Sequence, residues 1–114
     1  SIDKYQYDGI DIDFETAADH LGPLNTTPGL FKKFCEELSQ YIGPKSGTGR
    51  LFLIDGNIDA LDQGIAELCN YGVSQAYGCS SATMGYTSLT SRTASAERVG
   101  WKADQLIFTE NFLV

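Results

Sequence analysis

Three carboxylates stand at every second position in the stretch YDGIDIDFE: Asp11, Asp13 and Glu15. In an extended chain, residues two apart project from the same face, about 6.6 Å apart at about 3.3 Å per residue. The three therefore form a ladder on one side, while Ile10, Ile12 and Phe14 line the other. Crowded carboxylates disfavour one another's ionisation, so one member of such a ladder holds its proton to higher pH than a free acid would. A protonated glutamate beside an ionised aspartate is a general acid with an electrostatic partner. The spacing also fits a second chemistry, because acid-rich strand ends bind Mg²⁺ or Ca²⁺. Spacing alone does not choose between proton transfer and a hard cation.

The remaining residue types narrow the partners. Fifteen acids against eight bases give a formal charge of −7 and a pI near 4.4. That balance disfavours a nucleic-acid backbone, which needs clustered Lys and Arg, and suits a neutral partner such as a sugar. Cys35, Cys69 and Cys79 have no paired short spacing, and His20 is the single histidine, so a zinc site is not expected. The cysteines read as small buried hydrophobes. His20 falls in the loop after the acidic strand and reads as a solvent-exposed side chain. GPKSGTGR, residues 43–50, lacks the phosphate-loop spacing and runs from helix to strand, so it reads as a turn. Asn25-Thr26-Thr27 is an N-glycosylation sequon, but Thr27 is better explained as a helix cap. The apolar runs are too short to span a bilayer, and the opening SIDKYQYD lacks the basic-then-apolar order of a signal peptide.

The acidic ladder needs a scaffold. Period-2 alternation predicts a strand over about 5–14. TTPGLFKKFCEELSQYIG predicts a helix with Thr27 as N-cap and Pro28 at its first position, burying Leu30, Phe31, Phe34, Leu38 and Tyr41 or Ile42 and stopping at Gly43 and Pro44. GRLFLIDGN is an apolar run of strand length, as in parallel sheets. DALDQGIAELCNYG predicts a second, shorter helix with Leu61, Ile65 and Leu68 inward. The strand VSQAYGC follows, then a polar loop over about 80–93, a third helix over about 95–103 holding a packed Trp101, and the strand QLIFTENF.

The order β-α-β-α-β-α-β implies parallel pairing. It fits a small doubly wound sheet or about half of a (β/α)8 barrel, whose usual length is about 250 residues. With strands at both ends and no helix to cover the edges, the partial barrel is the preferred reading, with residues 1–114 a single fragment of it. Barrel enzymes place their chemistry at the carboxyl ends of the strands. Glu15 is then the rung that meets substrate and Asp11 the deepest, while Asp55, Asn57, Glu110 and Asn111 also stand at functional strand ends, free to bind a ligand or to cap loops. Half a barrel leaves sheet edges and an inner face unpaired, so these residues alone are expected to be inactive or poorly folded without the rest of the barrel.

DGIDIDFE, residues 8–15, resembles the DxxDxDxE pattern of family 18 glycoside hydrolases, the chitinases and endo-β-N-acetylglucosaminidases, matching at Asp8, Asp11, Asp13 and Glu15. SQAYG, with Gln75 and Tyr77, resembles the family's sixth strand, and TENF, with Glu110 and Asn111, the end of its seventh in bacterial endoglycosidase-type members. The likeness covers strands four to seven of eight. It implies substrate-assisted retention, an exception to the two-carboxylate scheme. Glu15 would protonate the glycosidic oxygen, Asp13 would orient the sugar's 2-acetamido group, and Asp11 would support Asp13. Tyr77 and Gln75 would hold the sugar, with Glu110 and Asn111 as further substrate contacts. The resemblance implies no metal or other cofactor, an N-acetylglucosamine-containing glycan as partner, and secretion or a cell-surface or periplasmic location. Within the family the motifs favour cleavage in the N-glycan chitobiose core; a chitinase and a non-catalytic chitinase-like carbohydrate-binding protein are the alternatives.

Overall fold

The computed structural model describes residues 2–17, 21–75 and 82–109. Its centre is one sheet of four parallel strands: β1 (Gly9–Phe14), β2 (Leu51–Gly56), β3 (Tyr71–Gln75) and β4 (Leu106–Thr109). Their spatial order is β1-β2-β3-β4. A doubly wound sheet reverses its strand order at a switch point. Here each strand lies beside its predecessor, which is the winding of a (β/α)8 barrel, and the four strands make up part of one.

Among the described residues four α-helical segments accompany them: α1 (Ile2–Tyr5), α2 (Pro23–Thr26), α3 (Leu30–Leu38) and α4 (Ala82–Arg98). The core lies between one face of the sheet and the crossovers. Phe14, Phe52 and Ile54 enter it from the strands and meet Phe31 and Cys35 of α3, with the Phe14 and Phe31 rings stacked 4.8 Å apart. Cys35 and Cys69 are buried, as the sequence suggests. Burial, and then the neighbouring Glu36 charge, pushes the Cys35 thiol up to about 12, and burial likewise raises Cys69, so both are inert as nucleophiles. Cys79 lies outside the described residues.

Several elements differ from expectation. The first strand begins at Gly9, because the chain before it forms the helical turn α1. Thr27 does not cap the long helix; it closes α2, donating its N–H to Pro23. Gly29 occupies the N-cap position of α3 at φ 77, a conformation Gly adopts without strain, and the helix ends at Leu38, ahead of Gly43 and Pro44. On α3 it is Cys35 that is buried and Phe34 that stays at the surface. The second predicted helix is two 3₁₀ turns, Ile58–Ala60 and Ala66–Leu68, interrupted by Gly64 at φ 95. Leu61, Ile65 and Leu68 are buried nonetheless, so the apolar spacing was met by turns.

Of the predicted polar loop over about 80–93, the described residues from Ala82 onward are instead part of the helix α4. Among its described side chains, Ser88, Arg92, Thr93, Ser95 and Ala96 are covered, with Val99 just past its end, and they carry little apolar surface. The residues of the third and fourth predicted strands beyond Gln75 and Thr109 lie outside the described residues.

Trp101 is not in a helix but follows α4. It is buried, its indole Nε1–H donates to the Ile58 carbonyl at 3.0 Å, and its six-membered ring lies against Gly72 of β3. A Cβ at position 72 would stand 2.9 Å from three carbons of that ring. Gly72→Ala is therefore expected to destabilise the protein by about 1–3 kcal/mol, the usual cost of overpacking. Urea unfolding measures this directly; unchanged stability would mean that the indole is not wedged against the strand.

Candidate active site

Partners across a parallel ladder share a face, and the β1–β2 register pairs Asp11 with Leu53 and Asp13 with Asp55. The next register sets Asp55 beside Val73, and the last sets Gln75 beside Thr109. The face opposite the core is thus layered. Leu53 lies deepest, beside Asp11; Asp13 and Asp55 share the next row with Val73 and Ile107; and Gln75 and Thr109 lie one row nearer the carboxyl ends, where a barrel does its chemistry. Asp11 is the acidic member of the deeper layer.

Asp55 is where these groups meet. Its Oδ1 accepts a hydrogen bond from Gln75 Nε2 at 2.9 Å, and the side chains of Asp11 and Asp13 stand near enough to act on its carboxyl. Neighbouring carboxyls cannot all be ionised cheaply. Partial burial first, then the side chains and negative charges of Asp11 and Asp13, raise Asp55 from 3.8 to about 7. A protonated carboxyl has one O–H to give. Among the described residues no His, Cys, Asp or Glu residues gather in threes in a metal-holding arrangement.

Asp11, Asp13 and Gln75, singled out from the sequence, are therefore brought together around Asp55. Glu15 follows one residue past β1 and is half-buried. Tyr77, Glu110 and Asn111 lie outside the described residues, as does His20. Asp55 was legible only as a polar strand end, and its role as the hub depends on the register with β1. Asn57, the other residue noted there, does cap a loop: its Oδ1 accepts from Thr16 N at 3.0 Å and from Thr16 Oγ1 at 3.2 Å. Arg92 gave no signal because its segment was read as loop. Its Nη1 donates to the Gln75 carbonyl at 3.1 Å and its Nε to Ser88 Oγ at 3.0 Å, so α4 holds the end of β3. A cavity of about 270 Å³ lined by Phe14, Thr16, Leu24, Asn25 and Ile65 adjoins the end of β1, but the carboxylate cluster does not line it.

A model of glycoside hydrolase family 18, BT1044-like, matches residues 1–113. The chain belongs to glycoside hydrolase family 18. Endo-β-N-acetylglucosaminidase F2 of Elizabethkingia meningoseptica is 39% identical over 85 residues, which is 73% of this chain and 24% of that protein. Among solved structures, the endo-β-N-acetylglucosaminidase of Cordyceps militaris in its apo form superposes with a TM-score of 0.66 at 26% identity, covering 96% of this chain and 34% of that one. A glutamate-to-glutamine variant of BT1044 superposes with a TM-score of 0.68 at 29% identity, covering 98% and 34%. The chain spans about a quarter to a third of the length of these family 18 relatives.

A carboxyl whose folded pKa is raised favours folding most where it is protonated in both states. Between its ordinary value and about 7 the folded state binds the extra proton, so Asp55 makes the fold progressively less stable as pH rises through that window, levelling off above it. Asp55→Asn keeps an acceptor for Gln75 without an ionisable proton. Urea midpoints measured from pH 4 to pH 8 are expected to show the variant gaining stability relative to wild type as pH rises. A constant difference, or the opposite slope, would contradict the raised pKa of Asp55.

Proposed function

We propose that this chain supplies the acidic strand and the sugar-facing strand end of a single catalytic barrel, completed by further strands. The barrel would cleave the β-1,4 link after N-acetylglucosamine in the N-glycan chitobiose core. The observation that carries this reading is the gathering of Asp11 and Asp13 around Asp55 and Gln75, directly below Glu15 in a family 18 acid pattern. The relatives' names favour an endo-β-N-acetylglucosaminidase over a chitinase.

In this mechanism Glu15 enters protonated and gives its proton to the glycosidic oxygen as the bond to the anomeric carbon breaks. The carbonyl oxygen of the sugar's own 2-acetamido group attacks that carbon, forming an oxazolinium ring. Asp13 accepts a hydrogen bond from the acetamido N–H, turning the carbonyl toward the carbon and balancing the positive charge of the ring. Asp11 and Asp55 hold one proton between them and Asp13, which keeps Asp13 oriented and leaves it anionic when the charge develops. Gln75 fixes Asp55, and Tyr77 donates its hydroxyl to the acetamido oxygen. Glu15, now a carboxylate, takes a proton from the water that opens the ring. Glu110 and Asn111 contact neighbouring sugars, and secretion or a cell-surface or periplasmic location would bring the enzyme to its glycan.

Incubation of the full-length protein with a defined N-glycopeptide and, separately, with a chitin oligomer tests the assignment. Release of the glycan with one N-acetylglucosamine left on the peptide is expected. Chitobiose from the oligomer alone would make the protein a chitinase, and binding without cleavage a carbohydrate-binding relative. Glu15→Gln is expected to lower kcat by about 10²–10⁴, the contribution of a placed proton donor. Full activity in that variant would remove Glu15 from the chemistry.

A further inference from the structure

Glu15 stands just beyond β1, where the strand ladder ends. A proton donor in such a position depends on what fixes its backbone. The peptide group joining Glu15 to Thr16 is gripped at both poles by side-chain amides. Its oxygen, the Glu15 carbonyl, accepts from Asn25 Nδ2 at 3.1 Å, and its N–H, that of Thr16, donates to Asn57 Oδ1 at 3.0 Å. The peptide before Glu15 is held as well, because the Asn57 N–H donates to the Phe14 carbonyl at 2.8 Å. Peptide planes fixed on both sides of one Cα set the direction of its Cα–Cβ bond, and hence the region its carboxyl can reach.

The two asparagines arrive from separate elements. Asn57 reaches β1 because Gly56 turns the chain at φ 101, and a Cβ on Gly56 would run into the Phe14 carbonyl oxygen. Asn25 comes from α2, whose turn is closed by the bonds from Asn25 N to Gly22 O at 3.0 Å and from Thr27 N to Pro23 O at 2.9 Å. Their amide orientations follow from their partners: a carbonyl demands the NH₂ of Asn25, and an N–H demands the oxygen of Asn57.

We propose that Asn25 and Asn57 are positioning residues that aim Glu15, gripping the peptide after it from its two sides. This rests on the reading of Glu15 as the proton donor. It also reassigns the sequon at residues 25–27, since the nitrogen that an N-linked glycan would occupy is the one that holds the Glu15 carbonyl.

The grip makes the same near-isosteric substitution act differently at the two sites. Asn25→Asp replaces the donor with an acceptor facing a carbonyl, whereas Asn57→Asp keeps the acceptor that Thr16 uses. The test employs the full-length protein, each variant at its own pH optimum, and two substrates: the N-glycopeptide, whose sugar leaving group needs a proton, and a 4-nitrophenyl glycoside of the same glycan, whose phenolate leaves without one. Asn25→Ala, Asn25→Asp and Asn57→Ala are expected to lower kcat on the glycopeptide about 10–100-fold, as misplacement of a catalytic group does. KM should stay within about 3-fold, and the loss on the nitrophenyl substrate should be at least about 10-fold smaller. Asn57→Asp should retain glycopeptide activity to within about 3-fold, since its hydrogen bond survives. Equal losses on both substrates, or an Asn25→Asp variant as active as wild type on the glycopeptide, would overturn the proposal while leaving the assigned reaction intact. A wild-type protein that cleaves neither substrate would overturn both.

Discussion

The register of β1 against β2 is the constraint on which everything else at this site depends. Pairing Asp13 with Asp55 and Phe14 with Gly56 does two things at once. It brings a third carboxyl to the two already on β1, and it delivers Asn57 to the turn that carries Glu15. A slip of one residue would turn the side chains of β2 to the opposite face, sending Asp55 into the core and Phe52 and Ile54 out of it. Burial of those two residues therefore sets the geometry of the carboxylates on the other side of the same strand. The hydrophobic effect here specifies an arrangement of charge.

That coupling explains the composition of the exposed face. Its carboxyl end collects groups that repel each other, and the repulsion is relieved by the proton that Asp55 keeps up to about pH 7 and by the donor of Gln75. The strand that presents Gln75 is itself held from the core side, where Arg92 of α4 binds the Gln75 carbonyl and Trp101 packs on Gly72. Interactions on one face of β3 thus fix what the other face offers.

Much of the fold could be read from the sequence wherever the pattern was one of burial. Ile10, Ile12 and Phe14 against Asp11 and Asp13 gave the strand, and Leu61, Ile65 and Leu68 gave the inward positions of the crossover even though Gly64 prevents a continuous helix there. What could not be read was structure made by polar residues. The described face of α4 from Ser88 to Ala96 has too little apolar surface to signal a helix, and only its contacts with the Ile58–Ala60 turn and the Arg92 bonds to β3 reveal it. Likewise Pro28 suggested a helix start that the chain makes at Gly29, with the preceding turn used to carry Asn25 toward Glu15.

The site divides along the same line. Acids two apart on one strand are a local pattern, and Asp11, Asp13 and Glu15 were visible from it; Asp55, Asn25 and Asn57 act through contacts of long sequence separation, for which a single sequence has no sign beyond residue type. Carbon-13 NMR of the aspartate carboxyl groups in the protein, followed from pH 3 to pH 9, bears most directly on the account. Asp55 is predicted to titrate at about 7. Titration of Asp55 at about 4, as in free aspartate, would mean that the register does not assemble this site.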